Sequence, residues 1–231
     1  MGNHLGTTEG PVTHGVHLVW DWNGTLLNDV TAVIAATNAA FAEIGLAPIT
    51  LERYRELYCV PVPKFYERLL GRLPTDEEWE VMDVIFHRHY SEQRLGCGLT
   101  DGAEELLGEW LRAGRSQSLL SMYGHDELVP VVRGYGIESH FLRVEGRTGP
   151  SGGSKALHME RHLTALGATV SPERTVVIGD AVDDAVAAAH VGARAVLYTG
   201  GSHSRASLGR AGVPVVDTLR EAVDEAIRLV A

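Results

Sequence analysis

Short, mostly apolar runs recur along the chain and are separated by longer segments with a helical pattern. Five runs, at residues 17–20, 118–121, 175–179, 193–198 and 214–216, are three to six residues long. Their brevity, together with the glycines and polar residues that flank them, predicts buried β-strands.

The segments between these runs have the spacing of amphipathic helices. Apolar residues recur at helical intervals after Asp29, and Thr75 with Glu78 forms the pattern of a capping box. We therefore predict that residues 28–96 are mainly helical. Other predicted helices begin at Asp101, Ser154 and Asp183, and a last one follows the run at 214–216.

Strands that alternate with helices are typical of an α/β fold, in which a parallel sheet is covered by helices on both faces. Ligands bind such sheets beyond the carboxyl ends of the strands. Asp21, Ser121 and Asp180 lie at or just after the ends of predicted strands. The topology therefore predicts that these three residues share one edge of the sheet.

The composition excludes several classes of protein. The 231 residues carry a formal net charge of −10 without a basic stripe, which argues against a nucleic-acid partner. No apolar run reaches the roughly 20 residues of a membrane helix. Residues 1–15 lack the apolar stretch of a secretory signal and are predicted to form a flexible tail. Two cysteines, Cys59 and Cys97, fit a reducing compartment, so we expect a cytoplasmic protein. We expect it to be a monomer or a homodimer.

The polar residues at the predicted sheet edge are of the types that phosphoryl transfer needs. A carboxylate such as Asp21 can attack phosphorus and form an aspartyl phosphate. The neighbouring carboxylates of Asp180, Asp183 and Asp184 repel one another unless a cation compensates them. A hard divalent ion with oxygen ligands meets this need, and Lys155 can hold the phosphoryl oxygens.

Four segments, in this order, resemble the motifs of the haloacid dehalogenase (HAD) superfamily. HLVWDWNGTLL resembles the first motif, SLLS the second, Lys155 the third and VVIGDAVDDAVAA the fourth. The resemblance is to the branch that contains phosphoglycolate phosphatase. It implies a Rossmann-like core formed by residues 16–28 and 97–231, with an all-helical C1 cap at residues 29–96.

The resemblance also implies a magnesium site. Asp21 would be both the nucleophile and a ligand of Mg²⁺, and residue 23 would lend its backbone carbonyl to the ion. Asp180 would bind the ion, and Asp184 would be a second or water-mediated ligand. Asp183 lies beside them and is expected to orient the site.

The same resemblance assigns the phosphate contacts. Thr25 and Ser121 would bind the phosphoryl group, and Lys155 would steady both the nucleophile and the phosphate. The substrate that the resemblance implies is a small phosphorylated metabolite.

The chain departs from the phosphatase pattern at Asn23, where the family has an aspartate that acts as general acid and base. An amide has no proton to lend near neutral pH. Four hypotheses follow. Hydrolysis could be slow or limited to good leaving groups such as acyl phosphates, or the proton could come from His87, His89 or His125. Alternatively, the chain binds a phosphorylated ligand without turnover, or it catalyses a phosphonatase-like or dehalogenase-like reaction. A further alternative is that Asn23 replaces a natural aspartate by engineering.

Two residues outside the motifs are candidates for substrate binding. His125 follows Ser121 closely, and Lys64 lies in the predicted cap, where the loop between helices of related proteins reaches over the site. Lys64 could contact a second anionic group of the substrate, or form the Schiff base that a phosphonatase needs. A solvated lysine at a helix start is the alternative.

Overall fold

The computed structural model describes residues 15–59, 61–149 and 154–231 of the chain. The flexible tail predicted for residues 1–15 lies, apart from Gly15, outside the described residues.

Six parallel strands form a single sheet. They are β1 (His17–Trp20), β2 (Ser116–Gly124), β3 (Val144–Arg147), β4 (Thr175–Gly179), β5 (Arg194–Tyr198) and β6 (Val215–Val216). Their order in the sheet is β3-β2-β1-β4-β5-β6, so the first strand of the chain lies near the middle.

Helices connect the strands and cover both faces of the sheet. Four of them directly follow β1 and its loop: α1 (Val30–Glu43), α2 (Leu51–Leu57), α3 (Val62–Leu70) and α4 (Asp76–Gln93). The others are α5 (Ala103–Arg112), α6 (His125–Gly134), α7 (Lys155–Leu166), α8 (Val182–His190), α9 (Arg205–Gly209) and α10 (Leu219–Val230).

Alternate residues of the central strands enter two separate cores. Leu18 and Trp20 of β1 pack with residues of α5, α6 and α10. Val19, between them, packs on the opposite face with residues of α7, α8 and α9. Burial on both faces explains why these strands are nearly continuous apolar runs in the sequence.

Helices α1 to α4, which we call the cap, have a core of their own. Phe41, Tyr54, Phe65 and Met82 are buried there and contact one another or their neighbours. The predicted fold class, a parallel α/β sheet with an all-helical insert after the first strand, is therefore confirmed. The capping box of Thr75 and Glu78 is also confirmed, at the start of α4.

Other details of the sequence prediction differ from the structure. α5 is preceded by Gly102 in the left-handed conformation, with φ of 75°, so the prediction that Asp101 caps this helix is wrong. β2 extends beyond the predicted run in both directions. β3 was not predicted, because its sequence VEGR has one apolar residue and no alternating pattern. No helix among those described is both long and apolar enough to span a bilayer.

Candidate active site

The register of the sheet brings the predicted strand-end residues together. Trp20 pairs with Leu119 of β2 and with Ile178 of β4. Asp21 therefore follows β1 at the level where β2 leads into Ser121 and β4 leads into Asp180. All three side chains line a single cavity of about 330 Å³ at the carboxyl edge of the sheet.

Lys155 joins this group from the first turn of α7, whose start is fixed by a hydrogen bond from the Ala156 backbone N–H to the Ser154 hydroxyl. Its side chain is buried, and its Nζ lies 2.5 Å from Oδ1 of Asp21 and 2.5 Å from Oδ1 of Asp184. Burial lowers the pKa of Lys155, but the two carboxylates outweigh burial and raise it above its ordinary value. The ammonium group therefore stays charged and clamps two carboxylates.

Asp180 is held by the loop that follows β5. Its Oδ2 accepts a hydrogen bond of 2.6 Å from the backbone N–H of Ser202. Gly201 packs so closely that a Cβ at this position would overlap the carboxylate, and a Cβ on Gly24 would lie 2.7 Å from the same Oδ2. Burial, and then the charges of Asp21 and Asp184, raise the pKa of Asp180 well above its ordinary value.

The carboxylates of Asp21, Asp180 and Asp184 form a cluster that fits a divalent cation. Each offers one oxygen, these oxygens lie within 4.8 Å of one another, and all three residues are buried. Burial also raises the pKa of Asp21, although Lys155 opposes this rise. One ammonium group compensates only part of the charge of three carboxylates, and hard oxygen donors are the ligands that Mg²⁺ prefers.

Asp183 has a different contact. Its Oδ2 accepts a hydrogen bond of 3.2 Å from the backbone N–H of Lys155, and burial raises its pKa. It thus links the starts of α7 and α8, which present Lys155 and Asp184 to the cavity.

Asn23 is fixed by two residues that the sequence analysis did not assign to the site. Its Nδ2 donates to Oδ2 of Asp29 at 2.8 Å and to the hydroxyl of Tyr90 at 2.6 Å. The Tyr90 hydroxyl donates to the same Oδ2 at 2.6 Å, and the Gly24 N–H donates to Oδ1 at 2.8 Å. Asp29, just before α1, therefore ties the loop after β1 to the cap helix α4.

The position of Asp29 in the sequence gave a misleading signal. A carboxylate directly before a helix is usually read as an N-cap. The Asp29 side chain makes no capping bond to α1 and turns back to residues 23 and 24. Tyr90 carries no sequence signal of this role, because its hydroxyl meets Asn23 only after the cap has folded over the core.

The remaining predicted residues occupy varied positions. The Ser121 hydroxyl is buried and accepts a hydrogen bond from the Tyr123 N–H. Thr25 is fully buried, and its Oγ1 has no hydrogen-bond partner among the described residues. Lys64 is exposed in α3, and the His125 ring accepts a hydrogen bond of 3.1 Å from the Gly146 N–H. Neither residue is among the described residues that line the cavity.

The histidines proposed as proton donors differ in position. His87 lines the cavity and is exposed, and its Nε2 lies 3.4 Å from Oδ1 of Asp83. His89 and His125 are not among the described residues that line it. His203, in the loop between β5 and α9, does line the cavity and is buried.

Part of the cavity lining is aromatic. The rings of Tyr54 and Tyr58 stack at 4.9 Å, and those of Phe86 and Tyr90 stack at 5.7 Å with planes 3° apart. All four residues belong to the cap or its α2–α3 connection and line the cavity. His203 contacts Tyr58 edge-to-face, with ring centroids 5.0 Å apart.

His203 is a polar group without a partner in this aromatic wall. It is 4% exposed, and its Nδ1 has no hydrogen-bond partner in the described part of the chain. Burial lowers the pKa of His203 to about 4, so the imidazole is neutral near pH 7.

The cap is attached to the core next to the carboxylate cluster. Arg55 of α2 donates to the backbone carbonyls of Gly200 and Gly201, at 2.8 Å each. The Ser204 N–H donates in return to the Arg55 carbonyl at 3.0 Å. The loop that holds Asp180 is thus also held by the cap.

Comparisons with known proteins agree with this geometry. The model of the haloacid dehalogenase-like hydrolases matches residues 17–192. A phosphoglycolate phosphatase of Synechococcus elongatus is 25% identical over 195 residues, which cover 83% of this chain and 87% of that protein. The tyrosine-protein kinase PtkA of Mycobacterium bovis is 28% identical over 214 residues, or 89% of this chain and 72% of the kinase.

A solved structure extends the likeness to the whole fold. A hydrolase from Pseudomonas syringae superposes with a TM-score of 0.71 at 22% identity, covering 91% of this chain and 98% of the other. This identity supports the fold alone. Because the similar proteins include both a phosphatase and a kinase by name, the reaction has to be argued from the site.

Proposed function

Because the chain belongs to the haloacid dehalogenase-like hydrolases, we propose that it is a Mg²⁺-dependent phosphatase of a small phosphorylated metabolite. The observation that carries this proposal is the buried clamp at the sheet edge. One ammonium group, that of Lys155, lies 2.5 Å from both Asp21 and Asp184, and Asp180 completes a carboxylate cluster beside it.

We assign the chemical steps to residues of this cluster. Asp21 attacks phosphorus and forms an aspartyl phosphate, which water then hydrolyses. Lys155 and the Ser121 hydroxyl hold the phosphoryl oxygens as negative charge shifts in the transition state. Thr25 is fully buried and is not among the described residues that line the cavity, so its phosphate-binding role stays a prediction.

A magnesium ion would be held by Asp21, Asp180 and Asp184, with the backbone carbonyl of Asn23. When bound, the ion offsets the negative charge of the nucleophile and the phosphate. The chain's own contribution is to keep Asp180 oriented through Ser202 and to keep the carboxylates together through Lys155.

The amide of Asn23 limits the reaction that we propose. Its Nδ2 is committed to Asp29 and Tyr90, and no group at position 23 can protonate a departing alkoxide. General acid–base help is worth about 10²- to 10⁴-fold. We therefore expect slow turnover of alkyl phosphates and faster turnover of substrates with good leaving groups.

The same amide supports a second candidate function, a protein that binds a phosphorylated ligand with little turnover. A phosphonatase-like reaction has less support, because the Lys64 amine that would form its Schiff base is exposed and does not belong to the described cavity lining.

Phosphate release from a panel of alkyl, aryl and acyl phosphates, with Mg²⁺ and with EDTA, distinguishes the first two functions. We expect Mg²⁺-dependent turnover that Asp21→Asn reduces at least about 10³-fold, since the nucleophile is lost. Circular dichroism of the variant checks that it folds. Ligand binding without turnover of any member of the panel would favour the binding protein.

A further inference from the structure

We infer that the site selects phosphomonoesters with a planar aromatic leaving group, that is, aryl phosphates. This inference rests on the proposed phosphatase function and adds a substrate class to it. Three independent features of the cavity support it: its aromatic wall, its lack of a second cation, and the amide at position 23.

The first feature is the aromatic part of the cavity lining. Phe86 and Tyr90 of α4 form one stacked pair, and Tyr54 and Tyr58 form another. Stacked and edge-to-face contacts are the arrangements that aromatic rings prefer. A planar leaving group placed between the phosphoryl site and these rings would bury its apolar faces against them.

The second feature is the charge of the cavity. Lys155 is the single lysine or arginine among the described residues that line it, and both of its short contacts are to carboxylates. A leaving group with its own carboxylate or phosphate would meet no cation and would face Asp29. This argues against phosphoglycolate as the substrate of this chain and favours an uncharged leaving group.

His203 adds a polar side chain to the same part of the lining. It contacts Tyr58 edge-to-face, and its Nδ1 is buried and has no partner among the described residues. Burial lowers the pKa of this imidazole and keeps it neutral near pH 7, so it supplies no charge that would favour an anionic leaving group.

The third feature connects recognition to reactivity. A phenol has a pKa of about 10, like tyrosine, whereas an alkoxide is about as basic as hydroxide, whose conjugate acid has a pKa of about 15.7. A phenolate therefore departs with far less help from a general acid. The site that lacks this acid is also the site that is lined to hold an aryl group.

The reaction balances without another reagent. An Asp21 oxygen bonds to phosphorus, the bond between phosphorus and the aryl oxygen breaks, and the phenolate leaves with the electron pair and takes a proton from solvent. Water then bonds to phosphorus, the bond to Asp21 breaks, and inorganic phosphate forms. The proton that the water loses goes to solvent, so the sum is a phenol and phosphate from an ester and water.

Binding of two compounds that cannot be hydrolysed separates ring recognition from reactivity. Isothermal titration calorimetry with the full chain and Mg²⁺ would compare phenylphosphonate with methylphosphonate, using inorganic phosphate as reference. We expect phenylphosphonate to bind at least about 10-fold more tightly than methylphosphonate, given the apolar area of a ring.

Matched variants test which rings are responsible. Phe86→Leu keeps an apolar side chain and should reduce the preference for phenylphosphonate about 3- to 10-fold, the effect of one aromatic pair. Trp79→Leu, in the same helix but away from the described cavity lining, should leave the preference unchanged. Tyr58→Leu serves as a second variant if Phe86→Leu does not fold.

Two other results have distinct meanings. Equal affinity for both phosphonates, or an equal loss in Phe86→Leu and Trp79→Leu, would overturn the inference and leave the phosphatase proposal intact. If neither phosphonate nor inorganic phosphate binds in the presence of Mg²⁺, the phosphoryl site itself is absent and both proposals fail.

Discussion

The two walls of the cavity are built on different principles. On the core side, Asp21, Asp180 and Asp184 are each fixed by an ammonium group or a backbone N–H that other parts of the core supply. On the cap side, rings from α2, the α2–α3 connection and α4 stack in pairs and line the cavity. The core wall is suited to one kind of chemistry, whereas the cap wall is suited to selecting a shape.

This difference shows where the function of such a protein can change. A substitution in the core wall alters charge balance and should affect every substrate. A substitution among the cap rings removes contact area and should affect only those substrates that use it. Asn23 lies at the boundary, since its backbone belongs to the core and its side chain contacts Tyr90 of the cap.

The largest gain in turnover is expected when an acid is introduced into the core wall at position 23. Asn23→Asp should raise turnover of an alkyl phosphate at least about 10-fold, because general acid–base help becomes available. Turnover of an aryl phosphate should rise less, since its leaving group needs less protonation. Steady-state rates with ethyl phosphate and phenyl phosphate measure both effects.

The nearby carboxylate of Asp29 makes this experiment sharper. A carboxylate at position 23 would lie close to that of Asp29. Repulsion between two neighbouring negative charges favours a state in which one of the pair is protonated. The double variant Asn23→Asp with Asp29→Asn is the control for this coupling. An equal gain for both esters in the single variant would show that protonation of the leaving group does not limit the reaction.

Metal binding tests the core wall alone. At about 100 times its Kd, Mg²⁺ should stabilise the fold by about 2.7 kcal/mol, which raises Tm by roughly 5–10 °C in a chain of this size. Asp180→Asn should lose most of this shift. Differential scanning fluorimetry with Mg²⁺ and with EDTA gives both values, and an undiminished shift in the variant would place the ion elsewhere.

The pH dependence of that metal effect has a definite sign. The pKa values of Asp21 and Asp180 are raised by burial, so in the metal-free fold protonation is favoured below these raised values. The stability that these protons contribute is present at low pH and is lost as pH rises through the raised pKa values. Mg²⁺ requires the ionised carboxylates, so the Tm shift from Mg²⁺ should shrink as pH falls from about 8 to 6. A shift that grows on acidification would contradict this assignment.

A smaller effect is expected where the two walls meet. Tyr90→Phe removes the hydroxyl that donates to Asp29 and accepts from Asn23. The Asp29 carboxylate and the Asn23 amide each lose one hydrogen-bond partner. The free energy of unfolding should fall by about 1–2 kcal/mol. Urea denaturation measures it against Tyr66→Phe, a change at a buried cap tyrosine whose hydroxyl has no hydrogen bond among the described residues. Equal losses in both variants would mean that the contact at the boundary contributes nothing.

The sequence predicted the core wall well for a physical reason. Parallel strands end at one edge, so short apolar runs that finish at Asp21, Ser121 and Asp180 are brought together by topology alone. Lys155 was assigned by its resemblance to the third motif, and Ser154 before it does cap the helix that carries it. These signals are local, and the sheet turns them into one site.

The cap wall could not be predicted in the same way. Tyr54, Tyr58, Phe86 and Tyr90 have the spacing of ordinary core residues, and part of their surface does pack in the cap core. Which of their faces borders the cavity depends on how the cap lies on the core. The exposed positions of Lys64 and His87 follow from the same arrangement, which no short segment encodes.

The contact of Arg55 with Gly200 and Gly201 joins the cap to the loop whose Ser202 N–H orients Asp180. Thermodynamic coupling between two such elements is reciprocal. If Mg²⁺ bound as proposed to the oriented Asp180 favours the attached cap, the attached cap would favour the ion by the same factor.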